Sequence, residues 1–315
     1  MSQIKINMNP STEQTIETIQ AMRRQEELGY SVTDYLSHIP TTATTALDTP
    51  VDASCRFVMA KWCNDIADFC NYKKETVAIA MNCLDRFMAT PSGLEILIDR
   101  NLYQLAAMTA LYSSVKIHEQ EAMDPKLVST LSRGVHSPQA VEAMESKMLN
   151  AIQWRVNPPT AMSFVRLMID LVPDHLINSC EKETILDITI LQIEMTINEY
   201  DFSTFDASSI AFACMLNAIE SVMDDGMLYA NFETTMGKVI LVDVGDYVDG
   251  RVRDLRIAIY ELMNGSKSVD GSFQMKNNKN AVTTKMGSSC AGAIATEGNN
   301  IHSSPRTVAT SVAQR

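Results

Sequence analysis

The sequence predicts an all-α protein made of two consecutive five-helix bundles, with an N-terminal arm and a disordered C-terminal tail. Its 315 residues are about twice the usual single-domain length of ~150. Only 12 Gly and 10 Pro occur, where average usage would give roughly 22 and 16, so the turns of an all-β fold are undersupplied. Apolar residues recur at helical spacing through most of the chain, which favours helices throughout.

The first segment, residues 1–51, is predicted to be an N-terminal arm followed by a linker. A short helix is expected over residues 12–28. Residues 40–50 are rich in threonine and almost free of charge, which is typical of a linker.

The second segment, residues 52–158, is predicted to form the first five-helix bundle. The helical patterns in this segment cover residues 53–70, 75–88, 99–116, 125–131 and 138–154. The third pattern is apolar on nearly every side, which predicts a central helix surrounded by the others. Pro125 and Pro138 occupy first turns, where the missing N–H of proline is tolerated.

A second set of five helical patterns follows the pair Pro158 and Pro159, and residues 159–263 are predicted to be the second bundle. These patterns cover residues 160–171, 181–200, 206–222, 229–241 and 246–263. Residues 264–315 contain 13 Ser or Thr and few large apolar side chains, which predicts a disordered tail. This tail carries +4 of the total charge of −12, which leaves −16 for residues 1–263.

The acidic balance, 26 basic against 38 acidic residues, disfavours direct binding to nucleic acid, because phosphate backbones would be repelled. No uninterrupted apolar run approaches the ~18 residues that a membrane helix needs, so no membrane partner is expected. Seven cysteines without a paired framework, and an N-terminus without a signal region, predict a reducing intracellular compartment.

Motifs for metal, cofactor or catalytic chemistry are absent, so we expect no enzyme, cofactor or metal site. Cys55, Cys63 and Cys70 share one helix face but lie ~12 Å apart per step, too far to share a zinc ion, and are predicted to be core residues. Asp243 and Asp246 lack the spacing of a calcium loop. Gly-rich phosphate loops and Gly-x-Ser-x-Gly do not occur.

Four charged residues stand where the helical pattern requires apolar ones: Arg56, Asp85, Lys116 and Glu145. A charge at such a position is unfavourable unless it is paired or used. Taken singly, Lys116 could complement the negative end of its helix, and Glu145 could be a rim residue. Because four such charges occur together, we expect them to share one explanation.

The segments that carry these charges resemble the cyclin family. They are CRFVMAKWC (residues 55–63), AMNCLDRFM (80–88), RNLYQLAAMTALYSSVKIHE (100–119) and VEAMESKMLNAIQWRVNPPTAMSFV (141–165). The second segment is especially similar to the D-type form of the family. The resemblance covers the first bundle throughout, whereas the second is supported by helix count and by FDASSIAFA (205–213). It implies two cyclin boxes.

The resemblance also implies roles for the four charges. Arg56 and Asp85 correspond to an internal salt bridge that fixes the first box. Lys116 and Glu145 correspond to residues that reach the partner kinase and hold its regulatory helix.

The resemblance also implies a docking patch for substrate or inhibitor proteins on the first and third of these segments. Its residues are Val58, Met59, Trp62, Arg100 and Gln104. The stretch that opens this patch departs from the family pattern, so docking motifs of the Arg-x-Leu type are expected to bind weakly.

The function expected from this resemblance is that of a cyclin. Such a protein is a regulatory subunit, not itself an enzyme, that binds and activates a cyclin-dependent kinase and helps recruit its substrates in cell-cycle control, in nucleus and cytoplasm. Ser304 precedes a proline and is a candidate for proline-directed phosphorylation.

Two alternatives stay open at this point. The first is a paired five-helix transcription-factor core, similar to transcription factor IIB or to the retinoblastoma pocket, although a DNA-contacting version would need a basic face. The second is an α-helical enzyme with a cleft between the bundles, which no motif supports.

Overall fold

The computed structural model describes residues 10–38, 50–172, 176–223, 226, 229–230, 232–234 and 250–265. None of these residues lies in a strand, and helices account for their regular structure, which confirms the predicted all-α class. The linker over residues 40–49 and the tail beyond residue 265 lie outside the described residues.

Eleven helices have bounds that the described residues define. They are α1 (Pro10–Gly29), α2 (Ala53–Cys70), α3 (Lys74–Met88), α4 (Pro91–Leu94), α5 (Arg100–His118), α6 (Pro125–Leu131), α7 (Pro138–Ala151), α8 (Ala161–Asp170), α9 (Ser179–Asn198), α10 (Ala207–Val222) and α11 (Arg251–Met263). Most predicted helices agree with these bounds to within a few residues. The predicted helix over residues 229–241 lies mostly outside the described part, and α4 was not predicted.

Side-chain caps explain where the helices of the first bundle begin. Asp52 accepts the N–H of Cys55 at the start of α2, and Asp99 accepts the N–H groups of Asn101 and Leu102 at the start of α5. Each cap satisfies backbone donors that the first helical turn leaves without partners. Helices α2 and α5, whose first turns are capped in this way, pack against each other in the bundle.

Helix α7 ends three residues before the predicted position. Gln153 and Trp154 both adopt the left-handed backbone region, with φ of 56° and 59°, and the N–H of Trp154 donates to the carbonyl of Leu149 at 2.8 Å. The prediction was wrong because the apolar spacing continues through Ile152 and Trp154, whereas the backbone has already turned.

Two hydrophobic clusters form among the described residues. The first lies between α2, α3, α5, α6 and α7, and the second lies between α8, α9, α10 and α11. Helix α5 is the centre of the first cluster, because 12 of its residues are buried, as its apolar sequence predicted.

The N-terminal segment packs on both clusters. Ile19 of α1 is fully buried in the second cluster, whereas Tyr35 and Val51 are buried in the first. Residues 10–38 therefore contact both bundles. The boundaries proposed for the four segments, after residues 51, 158 and 263, stay a prediction.

None of the helices in the described ranges is both long and apolar enough to cross a bilayer.

Candidate functional site

A buried ion pair joins α2 to α3. The guanidinium of Arg56 donates from Nε to Oδ1 of Asp85 at 2.9 Å and from Nη2 to Oδ2 at 2.8 Å. Both side chains are 3% exposed. Because the contact is two-pronged, it fixes the orientation of both groups as well as their distance. Burial alone would lower the pKa of Arg56, but the charge and hydrogen bonds of Asp85 raise it above its ordinary value.

The same pair also holds parts of the molecule outside the first bundle. Arg56 donates from Nη1 to the backbone carbonyl of Ile197, near the end of α9, at 2.9 Å. The hydroxyl of Tyr35 donates to Oδ1 of Asp85, also at 2.9 Å. One buried charge pair therefore links α2, α3, α9 and the N-terminal segment.

A pair of tyrosines completes this link. The rings of Tyr35 and Tyr200 meet edge to face, with centroids 5.1 Å apart. The hydroxyl of Tyr200 donates to Asp34 at 2.7 Å and accepts the N–H of Leu36 at 3.1 Å. These residues were not predicted from the sequence, although the apolar and aromatic side chains Val32, Tyr35 and Leu36 after α1 were a signal that this stretch packs against another part of the protein.

A buried carboxylate fastens α1 to the second bundle. Glu26 accepts hydrogen bonds from the backbone N–H and the hydroxyl of Ser208, at 3.2 and 2.7 Å, at the start of α10. Burial raises the pKa of Glu26 from 4.5 to about 7, and the charge of Asp206 adds to this effect, while the bonds from Ser208 oppose it. No pattern of residues points to this contact, because Glu26 lies in a run of polar residues.

A second ion pair lies at the rim of the first bundle, between α5 and α7. The ammonium of Lys116 lies 3.2 Å from each carboxylate oxygen of Glu145. Ser113 donates to the same carboxylate at 3.1 Å, and the ammonium lies 5.5 Å from the ring centroid of Tyr112. The four residues form one polar group on two neighbouring helices.

This rim pair is open to solvent on one side only. The Lys116 side chain is 49% exposed and that of Glu145 is 13% exposed. Partial burial acts against the charged form of Lys116, but the hydrogen bond and charge of Glu145 prevail and raise its pKa. Lys116 therefore keeps its positive charge at the surface, held in place by a carboxylate behind it.

The predicted docking patch lies on α2 and the start of α5. Val58 is 41% exposed, whereas Trp62 is half-buried against the first cluster. Arg100 donates to the carbonyl of Pro50 at 3.1 Å and to Asp52 at 3.3 Å. Its guanidinium thus braces the start of α2.

Two residues of the patch are turned toward the protein instead. Met59 is buried, because it faces the core side of α2. A docking patch needs exposed side chains, and Met59 offers no surface to a docked segment. Gln104 lies 3.1 Å from a ring nitrogen of His136 through its side-chain oxygen. Exposed apolar surface comes instead from Phe57 and Leu102, which the sequence analysis did not include.

Within the described ranges, no group of three His, Cys, Asp or Glu side chains is placed to hold a metal ion. Cys55 and Cys63 are buried as predicted, while Cys70 is half-buried. Burial raises the pKa of the Cys63 thiol to about 12, so it stays protonated at neutral pH. Asp243, Asp246 and Ser304 lie outside the described residues.

Two helical bundles joined through buried polar contacts, with a charged pair at one rim, define an all-α protein of paired helical bundles. A family model described as the cyclin N-terminal domain matches residues 17–157. This match includes all four of the charges described above. Over these residues, somewhat less than half of the chain, the protein is similar to the cyclin N-terminal domain.

Curated relatives of several cyclin types resemble the chain. Cyclin-A2-1 of Arabidopsis thaliana is 23% identical over 171 residues, covering 53% of this chain and 36% of the relative. Cyclin-D4-1 of the same species is 27% identical over 190 residues, covering 56% of this chain and 58% of the relative. The matches thus span between about a third and somewhat more than half of these relatives. Because the A-type and D-type relatives have similar identities to this chain, they support the expected similarity to D-type cyclins only weakly.

A solved structure, the X-ray structure of a viral cyclin from herpesvirus saimiri, has a similar fold. The TM-score is 0.57 at 13% sequence identity, and the match covers 78% of this chain and 97% of the viral protein. The likeness extends beyond residues 17–157, so the cyclin-like arrangement includes helices of the second bundle.

Proposed function

We propose that this protein is the regulatory subunit of a cyclin-dependent protein kinase, which it binds through the rim formed by α5 and α7. The similarity of residues 17–157 to the cyclin N-terminal domain supports this function. The observation that carries the site is the ion pair between Lys116 and Glu145, whose ammonium is half exposed at the edge of the first bundle.

The geometry of the pair suits contact with the backbone of a docked element. A lysine ammonium has three N–H donors, and Glu145 takes up two of them. The ammonium is half exposed, so a carbonyl of the kinase can approach it while Glu145 keeps the side chain in place. An ion pair of this kind gives orientation, and apolar contacts around it give affinity.

The chemistry in this proposal belongs to the kinase alone. Phosphoryl transfer needs an aligned Lys–Glu pair and Mg²⁺-bound ATP in the kinase, and mobile elements control both. Binding of the present protein to the active arrangement would shift the kinase population toward it. The protein itself then needs no catalytic residue and no cofactor.

We also propose that substrate or inhibitor proteins dock on the patch that includes Val58 and Trp62. Val58 and the neighbouring Phe57 and Leu102 expose apolar surface there. Because Met59 is buried, this surface differs from the one that the resemblance implies, and a segment with its own apolar anchor is the expected ligand. Nucleus and cytoplasm are the proposed compartments, which imaging of a tagged chain would test.

Exchange of the two charges at the rim tests the kinase site. The double variant Lys116→Glu with Glu145→Lys keeps an ion pair within the protein but reverses the charge that the rim presents. Purified variants would be mixed with a panel of purified cyclin-dependent kinases, and phosphorylation of histone would be measured. We expect the wild-type protein to activate at least one kinase and the double variant to lose that activation.

A matched control comes from the same helix. Lys147 and Glu95 form a looser pair at 4.0 Å on the surface, and the exchange Lys147→Glu with Glu95→Lys makes the same chemical change elsewhere. This control should activate like the wild-type protein, with unchanged helical circular dichroism in both variants. Full activation by the Lys116 and Glu145 exchange would refute the rim as the site, and salt-sensitive retention on DNA without any kinase activation would refute the function.

A further inference from the structure

Two arginines beside the end of α7 have no acidic partner among the described residues, although the protein carries a net charge of −12. Arg86 lies near the end of α3, and Arg155 follows the left-handed turn at Gln153 and Trp154. Neither guanidinium forms a salt bridge with a carboxylate in the part of the chain that the structure describes. By contrast, the pair of Arg56 with Asp85 and the pair of Lys116 with Glu145 each combine a positive with a negative charge.

Arg86 is a nearly buried cation held by neutral groups. It donates to the carbonyl oxygens of Arg155 at 2.7 Å and Ile152 at 3.4 Å, and its guanidinium carbon lies 4.6 Å from the ring centroid of Tyr30. Burial lowers the pKa of Arg86, and the positive charge of Arg155 acts in the same direction. A buried positive charge without a counter-ion is unfavourable, so an added anion would be stabilised there.

Arg155 brings a second cation to the same place. Its Nη1 donates to the carbonyl of Leu28 at 2.8 Å, which leaves other N–H donors of this exposed side chain available. Gly29 allows this approach, because a Cβ atom at that position would lie 1.7 Å from Nη1 of Arg155. The glycine thus leaves room for the guanidinium.

An open pocket of about 190 Å³ lies between the two arginines, and Ser31 and Thr90 also line it. This is much more space than the roughly 10–15 Å³ that a single water needs. The indole of Trp154 is 64% exposed next to Arg155 in sequence. Two consecutive non-glycine residues in the left-handed region hold this turn, and such backbone strain is concentrated at functional sites.

We propose that this pocket binds the phosphate group of a phosphorylated side chain in a partner protein. The planar guanidinium group forms paired hydrogen bonds with phosphate oxygens, which an ammonium does not. Two cations match a dianion better than the single charge of an aspartate or glutamate side chain. The exposed Trp154 provides an apolar contact for residues beside the phosphate.

The site lies close to the proposed kinase contact but does not depend on it. Val156, next to Arg155, accepts a hydrogen bond from His118, two residues beyond Lys116 in α5. The site therefore flanks the rim, and a protein docked there could reach both. Phosphate binding is measurable without any kinase, so failure of one proposal leaves the other to be judged by its own assay.

Calorimetric titration of the full chain with three short peptides tests the proposal. The peptides would be identical except for a central phosphoserine, glutamate or serine, and inorganic phosphate would serve as a fourth probe. We expect saturable binding of the phosphoserine peptide, weaker binding at high salt, and little or no binding of the serine peptide.

Two variants locate the binding site, and one serves as control. Arg155→Gln removes a cation, whereas Gly29→Ala keeps every charge but displaces the Arg155 guanidinium. Each should weaken phosphopeptide binding about tenfold or more, the usual effect of losing a charge-assisted hydrogen bond. Arg253→Gln, on the exposed face of α11, should leave binding unchanged.

Three outcomes would overturn the proposal. The first is no saturable binding of the phosphoserine peptide by the wild-type protein. The second is binding that Arg155→Gln and Gly29→Ala leave unchanged. The third is equal affinity for the glutamate peptide, which would make the pocket a carboxylate site instead.

Discussion

Two ion pairs in the first bundle consist of the same kinds of charge in opposite settings. Arg56 and Asp85 are both 3% exposed at the junction of α2, α3 and α9, whereas Lys116 is 49% exposed at the rim of α5 and α7. The buried pair has its remaining donors and acceptors satisfied by Ile197 and Tyr35, within the protein. The rim pair keeps its ammonium half exposed to solvent. Burial therefore separates a pair that holds the two bundles together from a pair that is available to a partner.

The energetic consequences differ accordingly. Removal of one member of a buried pair leaves the other charge without compensation in a low-dielectric setting, which is strongly destabilising. Removal of one member of a solvent-exposed pair changes stability little, because water replaces the lost partner. The four predictions below test this difference, from the largest expected effect to the smallest.

Arg56→Ala should lower the free energy of unfolding by about 3–5 kcal/mol, since it leaves Asp85 buried and uncompensated. Urea denaturation followed by circular dichroism would measure the change. The double variant Arg56→Met with Asp85→Leu replaces both charges by apolar groups and should recover part of the loss. A single variant as stable as the wild type would show that the pair does not hold the bundles together.

Glu26 is a buried acid, and no basic side chain forms a salt bridge with it in the described ranges. It therefore extends the comparison from buried ion pairs to a single buried charge. Its pKa in the folded protein, about 7, lies above the unfolded value of 4.5, so the folded state binds the proton more tightly. This contribution to stability is fully present below pH 4.5 and is lost as the pH rises through 7. The loss from pH 4 to pH 8 should be on the order of 3 kcal/mol.

Glu26→Gln is the control for this pH dependence. Glutamine accepts one bond from Ser208 through its side-chain oxygen, and its amide nitrogen can donate to the Ser208 hydroxyl. It does not titrate, so the stability difference between variant and wild type should grow in favour of the variant as the pH rises. Parallel urea titrations at several pH values would measure this difference. A constant difference across the range would mean that Glu26 is not the titrating group.

Tyr35→Phe should destabilise the protein by about 1–2 kcal/mol, less than loss of Arg56, because Asp85 loses one hydrogen bond but keeps its cation. The variant retains the ring contact with Tyr200, so the change reports the hydroxyl alone. Tyr260→Phe, on an exposed position of α11, is the matched control and should have no effect. If Tyr35→Phe were as stable as Tyr260→Phe, the hydrogen bond from Tyr35 to Asp85 would not contribute to stability.

Lys116→Met should change the free energy of unfolding by less than about 1 kcal/mol, since the lysine is half exposed. Its effect on kinase activation should nevertheless be large if the proposed function is right. Thermal melting and the histone assay on the same preparation would compare the two effects. If Lys116→Met lowered the free energy of unfolding as much as Arg56→Ala, the rim pair would stabilise the fold, as the buried pair does.

The helices of the first bundle were predictable because their determinants are local. Capping by Asp99 and the placement of Pro125 and Pro138 are written in short stretches of sequence, and apolar spacing gives the face that each helix buries. The end of α7 was not predictable in the same way, since Trp154 continues the apolar spacing after the backbone has turned.

The candidate site was predictable in part. Charges at Arg56, Asp85, Lys116 and Glu145 were visible as exceptions to an apolar pattern. Pattern alone could not identify the contacts of Tyr35 or Glu26, because their partners lie in bundles distant in sequence.

The sequence by itself determined the helical class, the central helix α5 and the positions of the unusual charges, because spacing along the chain decides which residues share a helix face. Only the tertiary structure decided what those charges contact. The carbonyl of Ile197 lies 141 residues from Arg56, and Ser208 lies 182 residues from Glu26. The same holds for the approach of Arg155 to Gly29, since distances of this kind follow from packing and leave no local pattern in the sequence.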